Sequence, residues 1–179
     1  MREDHHPEPT PETSRSGLSP GAPDLADPIM RSMAREDLAE IAALERICFQ
    51  DPWSMASFDA ELKADPTSWC TSLLLGGKVV GYMVVWFVED EAHLANLAVA
   101  PWVRRRGYAQ RMLDRLYREA FLRGSRIIVL EVRGSNQAAM ALYGRNRFLP
   151  GGVRKDYYKR PREDAVVMIR SLGIEGTNP

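Results

Sequence analysis

The sequence predicts an α/β (α+β) domain with a mixed central sheet flanked by helices, in the element order ααβββαβαββ. Three observations indicate this class. Apolar residues recur at helical spacing in several segments, Gly76-Gly77 separates two apolar runs as a hairpin turn does, and Ile127 to Val132 is a nearly continuous apolar run. A length of 179 residues suits a single domain with a sizeable core.

The first half of the chain opens with two predicted helices and continues with three strands. Apolar spacing predicts a helix from Asp37 to Phe49, and Pro52 terminates it. Ser54 is a suitable N-cap for a second helix through Leu62. The predicted strands are Trp69–Leu75, Lys78–Val88 and Ala92–Val99.

The second half alternates helices and strands. An apolar face from Ala109 to Ala120 predicts a helix, with Gly124 as its C′ residue. The apolar run that follows predicts a strand buried on both faces. Ser135 is the expected N-cap of a further helix to about Arg145, and Asn146 is the expected left-handed residue at its end. Two last strands are expected near Gly152–Tyr157 and Ala165–Ile169.

The ends of the chain read differently from this domain, which we place at residues 29–172. Residues 1–28 are rich in Pro, Glu, Ser and Thr and nearly free of large apolar residues, so we expect a disordered tail. His5 and His6 lie in that tail and are expected to be solvated rather than to bind a metal. Residues 173–179 are expected to form a flexible end.

Composition limits the function classes. The formal net charge is zero, which argues against a general nucleic-acid-binding protein. Residues 1–100 nevertheless carry 7 Lys/Arg against 17 Asp/Glu, and residues 101–162 carry 16 Lys/Arg against 4 Asp/Glu. A basic second half predicts a local anionic ligand.

No run is apolar enough to span a bilayer and no signal peptide is evident, so a cytoplasmic protein with no membrane partner is expected. Cys48 and Cys70 fit no metal-ligand spacing and are expected to be thiols.

The stretch Val99 to Leu113, VAPWVRRRGYAQRML, places three arginines and a glycine between a strand and a helix. Unpaired N–H groups and a positive dipole end at a helix N-terminus attract phosphate. Gly107 would let the backbone approach such a ligand closely, and Arg105 and Arg106 would add charge. The stretch therefore favours a pyrophosphate site, and its alternative is a solvated basic helix start.

The spacing Arg104-x-x-Gly107-x-Ala109 resembles the acyl-CoA-binding signature of the GNAT superfamily of N-acetyltransferases. LEVRGSNQAAMALY (130–143), YYKRPREDAVVM (157–168) and DPWS (51–54) extend the resemblance, over about residues 30–170, to the bacterial ribosomal-protein alanine N-acetyltransferases. Two departures are Ala109, where many members have glycine, and Arg147-Phe148, where Gly-Phe is usual. The resemblance implies acetyl-CoA as co-substrate and no metal. The residues that it implies for acetyl-CoA binding are Leu97, Ala98, Val99, Arg104, Arg105, Arg106, Gly107, Tyr108, Ala109, Gln110 and Asn136.

Four of these positions also have structural interpretations. The backbone of Leu97 to Val99 is implied to meet the pantetheine arm and thioester, while the same residues read equally as core strand. Asn136 is implied to bind a pantetheine amide, and otherwise reads as a second capping residue.

The resemblance also implies two catalytic residues. Glu131 lies in the apolar run, where a carboxylate needs a reason to be buried, and is implied to be the general base, directly or through water. Its structural alternative is an ion pair with an arginine such as Arg133. Tyr143 is implied to be the general acid that protonates the leaving thiolate, and its alternative is a core aromatic residue.

Trp53, Tyr157 and Tyr158 are candidate walls of a slot for the acceptor, or else hydrophobic plugs. The implied reaction is acetyl transfer to a protein N-terminal α-amine, in particular an alanine of a small-subunit ribosomal protein. A GNAT enzyme acting on lysine or a small amine is one rival. A non-catalytic CoA-binding or protein-interaction module is another, and an RNA-binding protein is less favoured because RNA-recognition signatures are absent.

Overall fold

The computed structural model describes residues 27–64 and 66–173. The helices are α1 (Leu38–Cys48), α2 (Met55–Lys63), α3 (Tyr108–Leu122) and α4 (Gln137–Arg145). The strands are β1 (Ile29–Ser32), β2 (Ser68–Leu75), β3 (Lys78–Val88), β4 (Glu91–Val99), β5 (Ile127–Arg133), β6 (Leu149–Lys159) and β7 (Arg162–Ser171). Short 3-10 turns precede α1 and follow β4. The predicted order of helices and strands is confirmed, with one strand added at its start.

The strands form one seven-stranded sheet in the order β1-β2-β3-β4-β5-β7-β6. The β4–β5 pair is parallel and the other five neighbouring pairs are antiparallel, so the predicted mixed sheet is confirmed. The added strand β1 pairs with β2 over four residues, from Ile29↔Leu74 to Ser32↔Thr71. The sequence did not predict β1, because four residues are too few to show the alternation of a strand and the partner strand lies about 40 residues away in the chain.

Local sequence signals account for several boundaries. The Ser54 side chain accepts a hydrogen bond from the Ser57 N–H, which confirms it as the N-cap of α2. Gly76 and Gly77 both have positive φ in the tight turn between β2 and β3, a conformation that glycine adopts without steric strain. Gly124 has a φ of +77° just beyond α3, as a C′ glycine should.

The helices cover the two faces of the sheet. Alternate residues of β3 face opposite sides. Tyr82 and Trp86 bond to Glu45 of α1 and Glu61 of α2, whereas Arg123 at the end of α3 lies over the Phe87 ring. Further contacts between α3 and α4 show that these two helices share the second face: Gln110–Asn146 and Tyr117–Phe148. The apolar interior lies between these layers and the sheet, and Ile41, Phe58, Met83, Met112 and Leu130 are among its buried residues.

The sheet opens between β4 and β5. Their pairing ends at Leu94↔Leu130, although β4 continues to Val99 and β5 to Arg133. A bulge precedes the opening, because Val84 of β3 pairs with Asn96 and Val85 pairs with Leu94, which leaves Ala95 as the extra residue. Beyond Leu94, the edge of β4 that faces β5 therefore has no strand partner.

The sequence prediction for β5 was wrong in one respect. Ile128, Leu130 and Val132 are buried, but the residues between them are only half-buried. The buried set faces α3 and α4. The other set lies on the α1–α2 face, which those two helices cover less completely at this strand.

The two ends of α4 also differ from expectation. Asn136 is the N-cap, since its Oδ1 accepts from the Ala139 N–H at 3.1 Å. Ser135 instead donates from its N–H and hydroxyl to the Glu163 carboxylate, at 2.8 and 3.0 Å. At the other end, Arg147 and not Asn146 has the left-handed conformation, with a φ of +61°. The Asn146 side chain is held by Gln110 and the Leu142 carbonyl.

Glu45 of α1 is a carboxyl buried in the core, with an exposure of 1%. Its Oε1 accepts from the Trp53 N–H at 2.9 Å and from Asn96 Nδ2 at 3.2 Å, and its Oε2 accepts from the Tyr82 hydroxyl. These bonds join α1, the α1–α2 loop, β3 and the bulged part of β4. Burial raises the pKa of Glu45 despite the bonds from Trp53 and Asn96.

We expect Glu45→Ala to lower the free energy of unfolding by about 2 to 4 kcal/mol, because three buried donors lose their acceptor and a cavity forms. Glu45→Gln keeps the shape and an acceptor oxygen, so it should cost less. The raised pKa means that the folded state binds the proton more tightly. The free energy of unfolding of the wild type, relative to that of Glu45→Gln, should therefore be greatest below the pKa that Glu45 has in the unfolded chain, about 4.3. This difference should fall as the pH rises through the higher pKa of Glu45 in the folded protein. Urea unfolding of both proteins from pH 4 to 8 measures this, and a constant difference would contradict it.

In the described part of the chain, no helix is long and apolar enough to cross a membrane. Cys48 and Cys70 are free thiols, Cys70 buried and Cys48 half-buried. Of the predicted tail only Asp27 and Pro28 are described, and of the predicted C-terminal end only Gly173, so His5, His6 and most of both segments lie outside the described residues.

Candidate active site

The loop before α3 presents a row of unpaired backbone donors. The N–H groups from Arg105 to Gln110 donate to no backbone or side-chain acceptor among the described residues. Arg105 and Gly107 have positive φ values of 64° and 80°, and Gly107 is the N-cap of α3. A Cβ built on Gly107 would meet no atom within 4 Å, so the space beside it is open. Such a row at a helix N-terminus is a suitable site for an anion.

The side chains of this loop divide into two groups. Arg105 and Arg106 are exposed, and we find no ion pair between them and any described residue. Arg104 instead turns back, since its Nε donates to the Val99 carbonyl at 2.9 Å. Tyr108 packs in the core, leaving only its backbone for a ligand.

Ala109 and Gln110 follow in the first turn of α3. Ala109 is half-buried against the core, so it too offers a ligand mainly its backbone. The Gln110 side chain bonds to Asp114 and Asn146. The N–H groups of both residues remain free of described acceptors.

Leu97, Ala98 and Val99 form the end of β4, along the open edge of the sheet. They pair with Met83, Tyr82 and Gly81 on the β3 side and have no strand partner on the β5 side. The Val99 carbonyl is already occupied by Arg104. Ala98 faces β3, because the Ala100 N–H donates to the Val80 carbonyl and backbone groups alternate along a strand. The backbone groups available to a ligand are therefore those of Leu97 and the Val99 N–H. Across the opening, the amide nitrogen of Asn136 remains free of described partners, because only its oxygen caps α4.

Glu131 lies one residue beyond the last β4–β5 pair, at the apex of the opening. Its side chain is 5% exposed. The Oε2 atom lies 2.5 Å from His93 Nε2, and Arg154 Nη2 lies 2.9 Å from Oε1 without the alignment of a hydrogen bond. The alternative pairing with Arg133 is wrong, since Arg133 pairs with Glu163 at 3.1 Å.

The charge of Glu131 follows from these neighbours. Burial acts to raise its pKa, but the hydrogen bond and charge interaction with His93, together with the charge of Arg154, outweigh that effect. The pKa of Glu131 therefore lies below its ordinary value. The carboxylate is ionised at neutral pH and able to attract a cationic amine.

Tyr143 of α4 lies on the other face of the sheet and is 8% exposed. Its ring packs edge-on against Phe148 at 5.6 Å, which agrees with a core role. Its hydroxyl makes no hydrogen bond to any residue in the described ranges, and it is not one of the fully buried polar atoms that lack a partner. Burial of the side chain raises the pKa of Tyr143, with a smaller contribution from Tyr158, so the phenol keeps its proton. A protonated hydroxyl without a described partner is available to a ligand as a donor.

Trp53 belongs to a row of aromatic side chains that leads to Glu131. Its ring contacts Phe58 at 5.5 Å and stacks on Trp86 at 6.2 Å, and Trp86 meets His93 edge-on at 5.4 Å. Trp86 Nε1 donates to Glu61 of α2 at 2.8 Å. Trp53 therefore packs against other aromatic rings and also lies close to the site. It fits both interpretations, a hydrophobic plug and a wall of the acceptor slot.

Tyr157 and Tyr158 border the site from the β6 side. The register of β6 slips between Arg154↔Ala165 and Tyr158↔Glu163, so that three residues lie opposite one. The Tyr158 hydroxyl donates to the Glu131 carbonyl at 3.3 Å, and Arg133 lies 4.0 Å above its ring. Tyr157 is 44% exposed. Tyr158 therefore holds β5 and β6 together as well as lying beside Glu131. Tyr157 presents an aromatic surface that is open to solvent.

Other parts of the described surface are less suited to chemistry. A pocket of about 710 Å³ lies at the opposite ends of β4 and β5, next to Glu91 and Ile127. It is open to solvent, and its charged side chains are Glu91 and the surface pair Asp90 and Arg126. No group of three or more His, Cys, Asp or Glu side chains within residues 27–64 and 66–173 is arranged to hold a metal.

The sequence reasoning missed four residues of this site: His93, Arg154, Trp86 and Glu45. His93 is the one histidine outside the N-terminal tail, and it lies in a predicted strand, a signal that could have drawn attention to it. Arg154 carried no such signal, because its position opposite Glu131 depends on the irregular register of β6. Glu45 lies on the apolar face of a predicted helix, where a carboxyl is unusual and thus detectable.

Comparison with known proteins identifies the family of the chain. Residues 38–148 match the Acetyltransferase (GNAT) family. The chain is 34% identical over 145 residues to the ribosomal protein bS18-alanine N-acetyltransferase of Escherichia coli strain K12, covering 80% of this chain and 97% of the relative. It is 35% identical over 150 residues to the N-alpha-acetyltransferase RimI of Mycobacterium tuberculosis, covering 79% and 91%.

Among solved structures, the ribosomal-protein-S18-alanine N-acetyltransferase from Escherichia coli superposes with a TM-score of 0.75 at 32% identity, covering 85% of this chain and 98% of that one. The family resemblance seen in the sequence motifs is therefore confirmed. The opened sheet, the row of free N–H groups and the matched residues agree, and the chain belongs to the GNAT family of acetyltransferases.

Proposed function

We propose that this enzyme transfers acetyl from acetyl-CoA to the N-terminal α-amine of a protein, in particular the N-terminal alanine of a small-subunit ribosomal protein. The observation that carries the proposal is the ionised Glu131 at the apex of the opening between β4 and β5, with the free N–H row of α3 beside it. The names of the similar bacterial enzymes support the choice of acceptor. A ribosomal acceptor would place the enzyme in the cytoplasm.

The residues around the opening fit the parts of acetyl-CoA. The N–H groups from Arg105 to Gln110, with the Arg105 and Arg106 guanidinium groups, would hold the pyrophosphate. The backbone groups of Leu97 and the Val99 N–H on the free edge, with the amide of Asn136, would bind the pantetheine arm. The thioester supplies an activated acetyl group, and a backbone N–H of β4 would stabilise the oxyanion that forms.

The catalytic roles follow from the charges. Glu131 would draw the acceptor ammonium into the site and promote loss of its proton, directly or through water. The neutral amine would attack the thioester carbonyl, forming the C–N bond as the C–S bond breaks. Tyr143 would donate its proton to the departing thiolate, and the second proton lost by the attacking nitrogen would replace it on the phenol through water. An α-amine, with a reference pKa of about 8 against about 10.4 for lysine, needs only a modest base at neutral pH.

We expect Tyr143→Phe to lower kcat by about tenfold to a hundredfold, with little change in the KM for acetyl-CoA, because only the proton donor is lost. The hydroxyl has no described hydrogen-bond partner, so the free energy of unfolding should change by less than about 0.5 kcal/mol. Release of free thiol measures the rate and urea unfolding the stability. Tyr117→Phe, which removes another buried unbonded phenol, is the matched control and should keep the wild-type kcat. Equal kcat values for Tyr143→Phe and wild type would make Tyr143 structural.

A peptide panel tests the acceptor. It contains peptides that begin with Ala, Gly, Ser or Leu, each with an internal lysine, and matched peptides whose α-amine is blocked. We expect one acetyl group on the α-amine of the alanine peptide and none on the blocked peptide, read by intact and fragment mass. Acetylation of lysine with a free α-amine left unmodified would favour the lysine rival. No transfer to any amine, with acetyl-CoA still bound, would favour the non-catalytic rival.

A further inference from the structure

Glu131 is poorly placed to keep the proton that it helps to remove. The inference rests on the proposed function, in which an ammonium and a thioester become an amide and a thiol, with net release of one proton. One carboxylate oxygen of Glu131 is bonded to His93, the other lies 2.9 Å from the Arg154 guanidinium without a hydrogen bond, and the side chain is 5% exposed. Its lowered pKa further disfavours a protonated carboxyl. Another group must therefore accept the proton and pass it to solvent.

His93 is in contact with Glu131 and meets this requirement. The 2.5 Å contact joins its Nε2 to Glu131 Oε2. Since the carboxylate is ionised and can only accept, the hydrogen in this contact belongs to Nε2, and in the neutral ring the lone pair is then on Nδ1. Nδ1 bonds to no residue in the described part of the chain, and the side chain is 26% exposed, so water has access to it.

The other neighbours cannot take this role. Arg154 remains protonated at all relevant pH values. Burial raises the pKa of Tyr158 to about 12, and its hydroxyl is bonded to the Glu131 carbonyl. Trp86 packs edge-on against the imidazole and bonds to Glu61, so it fixes the ring plane without exchanging protons. Glu131 bonds to His93 directly; Arg154, Tyr157 and Tyr158 interact with Glu131, and Glu61 bonds to Trp86, the ring that packs against the imidazole.

We propose that His93 is the proton acceptor of the reaction, and that Glu131 orients its ring and stabilises the imidazolium that forms. The acceptor ammonium loses a proton to Nδ1 of neutral His93, through water, and the resulting amine attacks the thioester. The imidazolium then releases the Nδ1 proton to solvent, which restores the neutral ring. This matches the net release of one proton. Arg154 keeps Glu131 ionised during the step, so the carboxylate and imidazole act as one unit.

The test compares His93→Gln with wild type on the amine that the panel identifies. Glutamine can still donate an N–H to Glu131 but cannot accept a proton. We expect kcat at pH 7 to fall by about ten- to a hundredfold with an unchanged KM for acetyl-CoA. The difference in kcat should narrow toward pH 9, where the α-ammonium loses its proton without a base. A purely structural role of His93 would not produce that pH dependence.

His93→Ala provides a second readout, because free imidazole should restore part of its kcat, while added imidazole should leave His93→Gln unchanged. A thermal melt of each variant confirms the fold. A wild-type kcat and pH profile for His93→Gln, or failure of imidazole to rescue His93→Ala, would overturn the proposal and return proton acceptance to Glu131. A wild-type enzyme inactive on every amine would instead overturn the proposed function, and this inference with it.

Discussion

Replacement of Glu131 by glutamine is expected to lower kcat by about a hundredfold or more at pH 7, with little change in the affinity for acetyl-CoA. Glutamine keeps the shape of the side chain but removes the negative charge that attracts the ammonium and holds His93 and Arg154. The loss should shrink between pH 7 and 9, because an α-amine with a pKa of about 8 deprotonates without a base. Initial rates across that range and calorimetric titration with acetyl-CoA measure both effects.

Glu91→Gln is the matched control for this change. Glu91 is exposed at the start of β4, away from the opening, and should keep wild-type kinetics. If Glu131→Gln retained the wild-type kcat at pH 7, the buried carboxylate would serve only to tie β5 to β4 and β6. A loss of acetyl-CoA affinity equal to the loss in kcat/KM would instead indicate that the opening itself had been distorted.

Gly107→Asp is expected to weaken acetyl-CoA binding by about a hundredfold or more. The N–H row from Arg105 to Gln110 would receive a fixed carboxylate, which occupies donors meant for the phosphates and repels their charge. The space beside the position is open, since a Cβ built there meets no atom within 4 Å. Calorimetric titration, or the acetyl-CoA-dependent rise in Tm, measures the affinity.

Two controls separate charge from backbone strain. Gly107→Asn has nearly the same size and the same tolerance of a φ of +80° but no charge, so it should lose only a fewfold in affinity. Gly77→Asp places the same residue at a φ of +77° in the β2–β3 turn, where it should lower stability slightly and leave binding unchanged. Equal binding by the Asp and Asn variants at position 107 would mean that the phosphates bind elsewhere.

Much of the fold was predictable because its signals are local. The apolar spacing of α1 and α3, the Ser54 cap and the Gly76-Gly77 turn each depend on residues within a few positions of one another. The candidate phosphate loop was predictable for the same reason, since a strand, a glycine and a helix start follow directly in the chain. The cap of α4 was the local feature that was predicted least well, because Ser135 and Asn136 are both suitable caps. Glu163, 28 residues away from Ser135, accepts its hydrogen bonds, and Asn136 therefore caps α4.

The surroundings of Glu131 were decided by tertiary structure. The sequence placed a carboxyl in an apolar run and offered Arg133, two residues away, as its partner. The true neighbours, His93 and Arg154, are brought in by the parallel register of β4 on β5 and by the slipped register of β6 on β7. Register and bulges depend on pairing between distant strands, and a shift of one residue reverses the face of every side chain. A pattern within one segment therefore predicts that a strand forms, while the contacts of its side chains are determined only when the sheet assembles.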